Sequence, residues 1–288
     1  MIKKGIILAG GRGTRLGPIT KAVNKQLLPL YDKPLIYYPL SVLILAGIKN
    51  ILIITNKDEK SNFIKLLGDG SKLGIKITFL EQDRPKGLPD AFIVGEKFIG
   101  KDNVALILGD NFFYGLGFTN RLKKSLHKNK GATIFTYNVN NPSDYGILET
   151  DKKNKIKRIV EKPSRSKSNL AITGLYFFNH KVVNFAKNLK PSKRNELEII
   201  DLLKIYLKNG SLKSVFLGRG SAWLDTGNAN NLFSASQYIA AIEERQGLKI
   251  ACIEEISYQN KWISKKQILK RISFYGKCDY SDYLKKII

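Results

Sequence analysis

The first 110 residues contain short apolar segments that alternate with stretches of helical or turn character. Near-unbroken apolar strands that alternate with helices are typical of a parallel sheet covered by helices on both faces. The predicted strands are 5–9, 51–55, 75–81 and 104–108, and the predicted helices are 34–46, 61–67 and 89–98. The pattern therefore predicts an α/β fold whose ligands lie beyond the carboxyl ends of the parallel strands.

After residue 131 the pattern becomes rich in strands, with fewer helices between them. The predicted strands are 132–139, 146–149, 156–161, 172–178 and 214–217, and the predicted helices are 182–186, 197–207 and 231–244. We expect this β-rich half to cover the sheet and enclose a second ligand. Beyond residue 247 the segments are shorter and more polar, which predicts a small helical tail. The chain is therefore divided into a main domain, 1–241, and a tail, 242–288.

The chain is strongly basic: its 288 residues include 49 Lys and Arg against 24 Asp and Glu, a net charge of +25. Such a charge is typical of proteins that bind nucleic acids or anionic membranes. Here the lysines are scattered and form no basic arm. We therefore interpret the charge as a solvated surface over an anion-binding site and expect no nucleic-acid partner. The most apolar stretch, 35–46, contains Pro39 and is too short to span a bilayer, so we expect no membrane partner either.

Cysteine and histidine are scarce, which narrows the chemistry. Cys252 and Cys278 have no metal-ligand spacing and are interpreted as free thiols in a reducing compartment. The first strand begins too early for a signal peptide to precede it, so we predict a cytoplasmic protein. His127 and His180 stand alone, which argues against histidine triads and histidine zinc sites. A catalytic metal would then be held by carboxylates, which favours Mg²⁺ or Mn²⁺.

A glycine-rich loop follows the first predicted strand. Gly10, Gly11 and Gly13 fall within four residues, and Arg15 and Lys25 add positive charge nearby. Glycine tolerates positive φ and lets backbone N–H groups crowd around an anion, so the loop favours a phosphate chain. It matches neither the dinucleotide fingerprint nor the P-loop. An ordinary tight turn between strand and helix is the alternative.

Three acidic residues stand where predicted strands end or turns begin. Asp110 follows the buried strand 104–108, and Asp225 precedes a Thr-Gly turn. Each is suited to bind a metal or, alternatively, to cap a helix. Glu161 and Lys162 are adjacent at another strand end, which suits either a hydroxyl-rich phosphate or a surface ion pair.

Several short segments occur in an order that resembles a known family. They are 10–16 (GGRGTRL), 25–29 (KQLLP), 108–111 (LGDN), 145–146 (YG), 161–163 (EKP), 173–174 (TG) and 223–227 (WLDTG). In this order they resemble the sugar nucleotidyltransferases, and in length and tail the short-form thymidylyltransferases among them. The resemblance runs from about residue 5 into the tail, and the combined motifs are specific.

The resemblance implies a fold, a reaction and partners. The fold is a Rossmann-like nucleotidyltransferase fold, with a mixed, mostly parallel sheet, a β-rich sugar-binding half and a helical tail. The reaction converts dTTP and glucose 1-phosphate to dTDP-glucose and pyrophosphate with Mg²⁺. This supplies dTDP-sugars such as dTDP-rhamnose for polysaccharide synthesis. The resemblance also implies a homotetramer.

It further assigns expected roles to individual residues. Those implied in binding the nucleotide are Leu8, Gly10, Gly11, Gly13, Thr14, Arg15, Lys25, Gln26, Gln82 and Gly87. Those implied in binding the sugar phosphate are Asn111, Tyr145, Gly146, Glu161, Lys162 and Ile172. The implied metal ligands are Asp110 and Asp225, and the implied catalytic residues are these two with Arg15, Lys25 and Lys162.

Two other functions on the same fold remain open. Pro89 and Asp90 stand where the family has Ala-Gln, close to the implied base contact, so a UTP-using enzyme is an alternative. A non-catalytic nucleotide-sugar sensor is a second alternative. The complete set of implied catalytic residues argues against the sensor.

Overall fold

The computed structural model describes residues 2–84, 86–153 and 155–288. Its strands are β1 (Lys4–Leu8), β2 (Pro29–Leu30), β3 (Lys33–Pro34), β4 (Asn50–Thr55), β5 (Lys76–Glu81), β6 (Val104–Leu108), β7 (Asn111–Gly115), β8 (Ala132–Asn138), β9 (Gly146–Thr150), β10 (Ile156–Glu161), β11 (Leu170–Phe178), β12 (Leu212–Phe216) and β13 (Ser221–Asp225). Its α-helices are α1 (Tyr37–Leu45), α2 (Lys60–Leu67), α3 (Asp90–Val94), α4 (Glu96–Ile99), α5 (Phe118–Lys128), α6 (Val182–Lys187), α7 (Ile199–Lys208), α8 (Ala229–Gln246), α9 (Ile253–Gln259), α10 (Lys265–Tyr275) and α11 (Asp279–Lys286).

The central sheet joins a parallel half to an antiparallel half. Strands β5, β4, β1 and β6 lie side by side and parallel, in that order. Strand β11 pairs antiparallel with β6, and β8 and β9 pair antiparallel with β11. Strand β10 adds to β9, and β12 runs parallel to β8 at another edge. The predicted mixed α/β class, with its β-rich second half, is confirmed.

The parallel strands are apolar on both faces because both faces are covered. Side chains alternate along a strand, so Ile7 and Ile53 point to the face that carries α1, while Ile6 and Leu52 point to the face that carries Phe92. All five are fully buried. This double burial explains why the predicted strands appear as continuous apolar runs.

Two predicted helices differ from the observed ones for local reasons. The helix predicted at 34–46 begins only at Tyr37, because Lys33 and Pro34 pair with β2 instead. The helix predicted at 89–98 is two short helices joined at Gly95. A Cβ on Gly95 would lie 2.8 Å from the carbonyl oxygen of Ala91, so the chain passes too close to its neighbours for a side chain.

A two-stranded ribbon and one helix were not predicted. Strands β7 and β13 pair antiparallel, with Asp225 opposite Asn111 and Ser221 opposite Gly115. Helix α5 follows directly after β7. The ribbon brings the segment around residue 225 to the end of β6.

The predicted helical tail is confirmed, and it packs on the main domain. The Tyr275 hydroxyl in α10 lies 3.1 Å from the Tyr37 hydroxyl in α1. Asn260 Nδ2 donates to the carbonyl oxygen of Ile44 at 3.2 Å. Helix α8 runs continuously across the predicted boundary at 241/242. The division into 1–241 and 242–288 stays a prediction.

Within the described ranges, no helix combines the length and apolarity that a membrane crossing needs.

A buried carboxylate organises the tail. Glu254 is fully buried, and its oxygens accept hydrogen bonds from Arg271 Nε at 3.0 Å and from the hydroxyls of Tyr275 and Tyr280 at 2.7 Å each. A buried charge of this kind is stable only while its partners remain. The Glu254 carboxylate therefore joins α9 to α10 and α11, and Arg271 supplies the cation that balances its charge.

We expect Arg271→Met to lower the free energy of unfolding by about 3–5 kcal/mol, because it leaves the Glu254 carboxylate without its cation. Urea denaturation followed by circular dichroism measures this change. The matched control is Lys285→Met, which removes an exposed pair with Asp282 in the same tail and should change stability by less than about 0.5 kcal/mol. A loss below about 1 kcal/mol in the Arg271 variant would contradict the role given to this pair.

Candidate active site

The glycine-rich loop leaves the carboxyl end of β1, as predicted. Gly13 has φ of 60°, and a Cβ there would lie 3.2 Å from Lys25 Cβ and 2.9 Å from Thr20 Cγ2. Positive φ and close approach together require glycine at this position. Leu8 ends β1, and its carbonyl oxygen accepts a hydrogen bond from the Gly109 backbone at 3.0 Å. The loop is thereby fixed beside the end of β6.

A cavity of about 580 Å³ lies beside this loop. Its lining includes Gly11, Thr14, Lys21, Asn24 and Asn56. Backbone amides, hydroxyls and amines are the groups that bind phosphate oxygens. The carboxylates of Asp58, Glu59 and Asp83 also line the cavity and oppose an anion there, so the loop itself is the part suited to hold a chain of phosphates.

Lys25 is buried beside Asp110. Lys25 is 4% exposed, and its Nζ lies 2.6 Å from Asp110 Oδ2. The preceding residue, Asn24, caps the short 3₁₀ turn that carries Lys25 and Gln26, and its Oδ1 accepts from the Gln26 backbone at 2.8 Å. Asn24 was not among the predicted site residues. The signal was available, since asparagine directly before a helical turn is a common cap.

Gln26 lies under the same site. It is 3% exposed, and among the described residues its Oε1 has no hydrogen-bond partner. Its Cγ lies 2.9 Å from the position that a Cβ on Gly109 would occupy. Glycine at position 109 therefore lets the Gln26 side chain reach the strand end.

The ribbon brings Asp225 to Asp110, 115 positions away in the chain. Thr226 fixes the junction, since its backbone N–H and its hydroxyl both donate to the Asp110 carbonyl oxygen, at 3.2 and 2.9 Å. A Cβ added to Gly227 would lie 3.1 Å from both carboxylate oxygens of Asp225 and 2.9 Å from Arg15 Nη2. The Asp225 and Arg15 side chains therefore converge beside Gly227. Two carboxylates, one lysine and one arginine thus meet at one edge of the sheet.

The electrostatics of this cluster are dominated by the two carboxylates. Burial raises the pKa of Asp225 above its ordinary value, and the neighbouring Asp110 carboxylate raises it further. The positive charges of Lys25 and Arg15 lower the pKa of Asp225 and so oppose both effects. Two carboxylates held close together gain from a shared cation. In the parts of the chain that the structure describes, no group of three or more His, Cys, Asp and Glu is placed to hold a metal ion. The candidate donors at this edge of the sheet are the Asp110 and Asp225 carboxylates. Two carboxylates that leave positions for phosphate and water suit Mg²⁺.

Gln82 lies next to the glycine loop on the side of β5. It is 6% exposed, and its Oε1 lies 3.4 Å from the position that a Cβ on Gly10 would occupy. Its Nε2 donates to Asp90 Oδ2 at 2.6 Å. A glutamine amide can offer both a donor and an acceptor to a base. In the structure one N–H of the amide is committed to Asp90, and the carbonyl oxygen faces the loop.

Gly87 lies near Gln82 in a position that only glycine fits. Its φ is 93°, and a Cβ would lie 2.0 Å from the Leu197 carbonyl oxygen. The Leu197 backbone donates to the Lys86 carbonyl oxygen at 2.8 Å. The segment before α7 therefore packs directly on the segment that carries Gly87.

The other predicted residues line the β-rich half. Gly146 begins β9 and pairs with Glu161 at the end of β10, and a Cβ on Gly146 would lie 3.3 Å from Glu161 Oε2. Lys162 has φ of 41° and donates its backbone N–H to the Tyr145 carbonyl oxygen at 3.0 Å. Positive φ at a residue other than glycine is costly and concentrates at functional sites. Ile172 is buried in β11.

Tyr145 links this half to the carboxylate pair. Its ring lies 5.2 Å from the Trp223 ring. Burial raises the pKa of the Tyr145 hydroxyl, and the Asp225 and Asp144 carboxylates raise it further.

Trp223, two residues before Asp225, also fixes Asn111, because its Nε1–H donates to Asn111 Oδ1 at 2.6 Å. That oxygen accepts a second bond from the Gly174 backbone at 3.1 Å. The Trp223 and Gly174 contacts were not predicted, because both cross between distant parts of the chain.

The site therefore has two compartments that meet at the carboxylate pair. One holds the glycine loop, Lys25, Gln26, Gln82 and Gly87, and the other holds Asn111, Tyr145, Gly146, Glu161 and Lys162. Buried charge, a glycine-rich loop suited to phosphates and two carboxylates suit the transfer of a phosphorus-centred group between two ligands. Fold and site together define a nucleotide-binding transferase.

The chain belongs to the nucleotidyl transferase family, whose family model matches residues 4–242. It is 52% identical, over 99% of both chains, to a glucose-1-phosphate thymidylyltransferase of Neisseria meningitidis. A crystal structure from Bacillus anthracis, assigned as a glucose-1-phosphate thymidylyltransferase in complex with sucrose, is 38% identical, with a TM-score of 0.76 over 82% of this chain and 94% of that one. A UDP-glucose pyrophosphorylase with bound UDP-glucose is 29% identical, with a TM-score of 0.73 over 85% of this chain and 100% of that one. The resemblance seen in the sequence is confirmed.

Proposed function

We propose that this protein transfers a thymidylyl group from dTTP to glucose 1-phosphate, forming dTDP-glucose and releasing pyrophosphate. The observation that carries the proposal is the meeting of Lys25, Asp110 and Asp225 between the glycine loop and the β-rich half. The near-full-length identity to a named thymidylyltransferase supports the choice of substrates.

On the nucleotide side, the loop residues hold the triphosphate. Backbone N–H groups of Gly10, Gly11 and Gly13, with the Thr14 hydroxyl, donate to its phosphate oxygens. Arg15 balances the charge of the departing pyrophosphate, and Lys25 contacts the α-phosphate. Leu8 and Gln26 contact the nucleoside, and Gln82 and Gly87 contact the base.

On the sugar side, Lys162 binds the phosphate of glucose 1-phosphate. Glu161 accepts hydrogen bonds from sugar hydroxyls. Gly146 contacts the sugar from the paired strand, and its missing side chain lets Ile200 pack beside Glu161. Asn111 and Ile172 complete the floor of this compartment, and Tyr145 closes it.

The reaction needs alignment more than acid–base chemistry. A phosphate oxygen of glucose 1-phosphate attacks the α-phosphorus, a new P–O bond forms, and the bond to the bridging oxygen of the β-phosphate breaks. That attacking oxygen is already ionised, so no side chain must remove a proton. The barrier lies in bringing two anions together in line, and fixed positive charge at Lys25, Arg15 and Lys162 lowers it.

Nucleotidyltransferases of this family generally use a divalent metal, and we propose Mg²⁺ for this chain. The Asp110 and Asp225 carboxylates would hold it. When bound, the ion supplies positive charge that stabilises the α-phosphate during transfer. We also propose, from the resemblance alone, that the protein is a homotetramer in the cytoplasm.

Use of UTP is a second candidate, because the UDP-glucose pyrophosphorylase shares the fold. The test for both is pyrophosphate release from dTTP, UTP, CTP and ATP with glucose 1-phosphate and Mg²⁺. Turnover that is fastest with dTTP supports the proposal, and turnover that is fastest with UTP supports the second candidate. Absence of turnover with every nucleotide would favour a sensor.

We expect dTTP and UTP to be used, dTTP better, and CTP hardly at all. Thymine and uracil present an N3–H donor to the Gln82 carbonyl oxygen, whereas cytosine presents an acceptor there and leaves a buried polar atom unpaired. The measurement is kcat/KM for each nucleotide at saturating glucose 1-phosphate. Equal values for CTP and dTTP would contradict the base contact assigned to Gln82.

A further inference from the structure

We infer that Asp90 determines the specificity for the base by fixing the direction of the Gln82 amide. The inference rests on the proposed function. A glutamine amide carries a donor and an acceptor of nearly equal shape, and a free one can rotate to offer either. Gln82 on its own would therefore discriminate poorly between thymine and cytosine.

The contact between the two side chains removes this freedom. Gln82 Nε2 donates to Asp90 Oδ2 at 2.6 Å, and both side chains are buried, at 6% and 7% exposure. An ionised carboxylate only accepts hydrogen bonds, so it holds the NH₂ group of Gln82 and excludes the rotated amide. In the rotated form two acceptor oxygens would face each other without a proton between them.

Both partners are anchored by their backbones. The Gln82 N–H donates to the Thr55 carbonyl oxygen at 2.9 Å. Asp90 begins α3, and its neighbours Ala91 and Phe92 are fully buried against the sheet. The backbones on both sides of the pair are therefore fixed, and the two buried side chains meet between them.

The fixed amide leaves its carbonyl oxygen and one N–H of Nε2 for the base, in a fixed order. Gln82 Oε1 faces Gly10 of the glycine loop, where the nucleotide is proposed to lie. This oxygen accepts from the N3–H of thymine or uracil and repels the N3 lone pair of cytosine. Asp90 is thus a positioning residue that never touches the base itself.

The test is Asp90→Asn, which keeps the shape but lets position 90 either donate or accept. We expect the ratio of kcat/KM for dTTP over CTP to fall at least ~10-fold, because the Gln82 amide can now rotate. The ratio for dTTP over UTP should stay within about twofold, since both bases carry N3–H. A general structural defect would not separate these two ratios.

A swapped pair provides the second variant. In Gln82→Glu combined with Asp90→Asn, the introduced asparagine donates to one oxygen of the introduced glutamate, and the other glutamate oxygen faces the base as an acceptor. We expect this double variant to restore discrimination against CTP to within about threefold of wild type, with buried charge and shape conserved. A discrimination that falls further than in Asp90→Asn alone would overturn the inference.

The outcomes separate the inference from the function on which it rests. If the wild-type protein turns over dTTP and Asp90→Asn keeps the wild-type dTTP/CTP ratio, the inference is wrong and the proposed function stands. If the wild-type protein releases no pyrophosphate from dTTP, the proposed function fails first. If Asp90→Asn does not fold, as judged by circular dichroism, the swapped pair decides by the same ratio.

Discussion

Asp225→Asn and Asp110→Asn should each lower kcat for pyrophosphate release at least ~100-fold, the effect of removing one preorganised electrostatic group. The two carboxylates meet at the carboxyl edge of the sheet, where burial and the Asp110 carboxylate raise the pKa of Asp225 and a shared cation would relieve that cost. Asparagine keeps the shape of the side chain. The bonds from Thr226 go to the Asp110 carbonyl and survive both changes.

The double variant should be little slower than either single variant, because groups that act through one ion are not additive. A role as helix caps would instead cost only about 1 kcal/mol of stability and leave kcat unchanged. Asp282→Asn, in an exposed pair of the tail, is the control and should keep wild-type kcat. Near-normal Mg²⁺-dependent turnover in Asp225→Asn would remove that residue from the site.

Lys25→Met should lower kcat/KM for dTTP at least ~100-fold. The ammonium group is buried and preorganised 2.6 Å from Asp110, so no solvent rearrangement is needed when charge develops at the α-phosphate. Methionine fills the volume without the charge, and the fold should survive because the Asp110 side chain is 24% exposed and remains hydrated. Steady-state kinetics and a thermal melt measure the two effects.

Lys187→Met is the matched control. Its amine also lies 2.6 Å from a carboxylate, Glu96, but both side chains are more than 40% exposed. Exposed pairs contribute little, so kcat/KM should stay within about twofold of wild type. An equal loss of activity in the two lysine variants would contradict a catalytic role for the buried Lys25 amine.

The local pattern of apolar residues was sufficient to predict the strands of the parallel half of the sheet. The strand predicted at 104–108 is observed as Val104–Leu108, and the one at 51–55 begins a single residue earlier. Strands buried on both faces give a signal that depends on nothing distant. The helix predicted from Pro34 began too early, because the sequence does not reveal that Pro34 pairs with Pro29.

The ribbon escaped prediction because neither of its strands is recognisable alone. Residues 111–115 and 221–225 are only five residues long each, and they form a ribbon only by pairing across more than a hundred positions. The same pairing places Asp225 beside Asp110. The sequence could therefore name the two carboxylates but could not place them together, and their metal role stays a prediction.

The contact between Gln82 and Asp90, on the side of the site proposed to bind the base, could not be predicted for a different reason. Gln82 was assigned through the family resemblance, and Asp90 was noted only as a departure from the family's residues. Their hydrogen bond spans eight positions between a strand end and a helix start. No periodicity links those two places, so the direction of the amide was visible only in three dimensions.

The ribbon also determines when, during synthesis on the ribosome, the chain can first become catalytically active. The glycine loop, Lys25, Gln82 and Asp110 all leave the ribosome before residue 111, whereas β13 and Asp225 follow more than a hundred residues later. If the two carboxylates act as proposed, a nascent chain contains the residues of the glycine loop long before it can carry out the transfer. Catalysis becomes available only when about three quarters of the protein has been synthesised and the ribbon has closed.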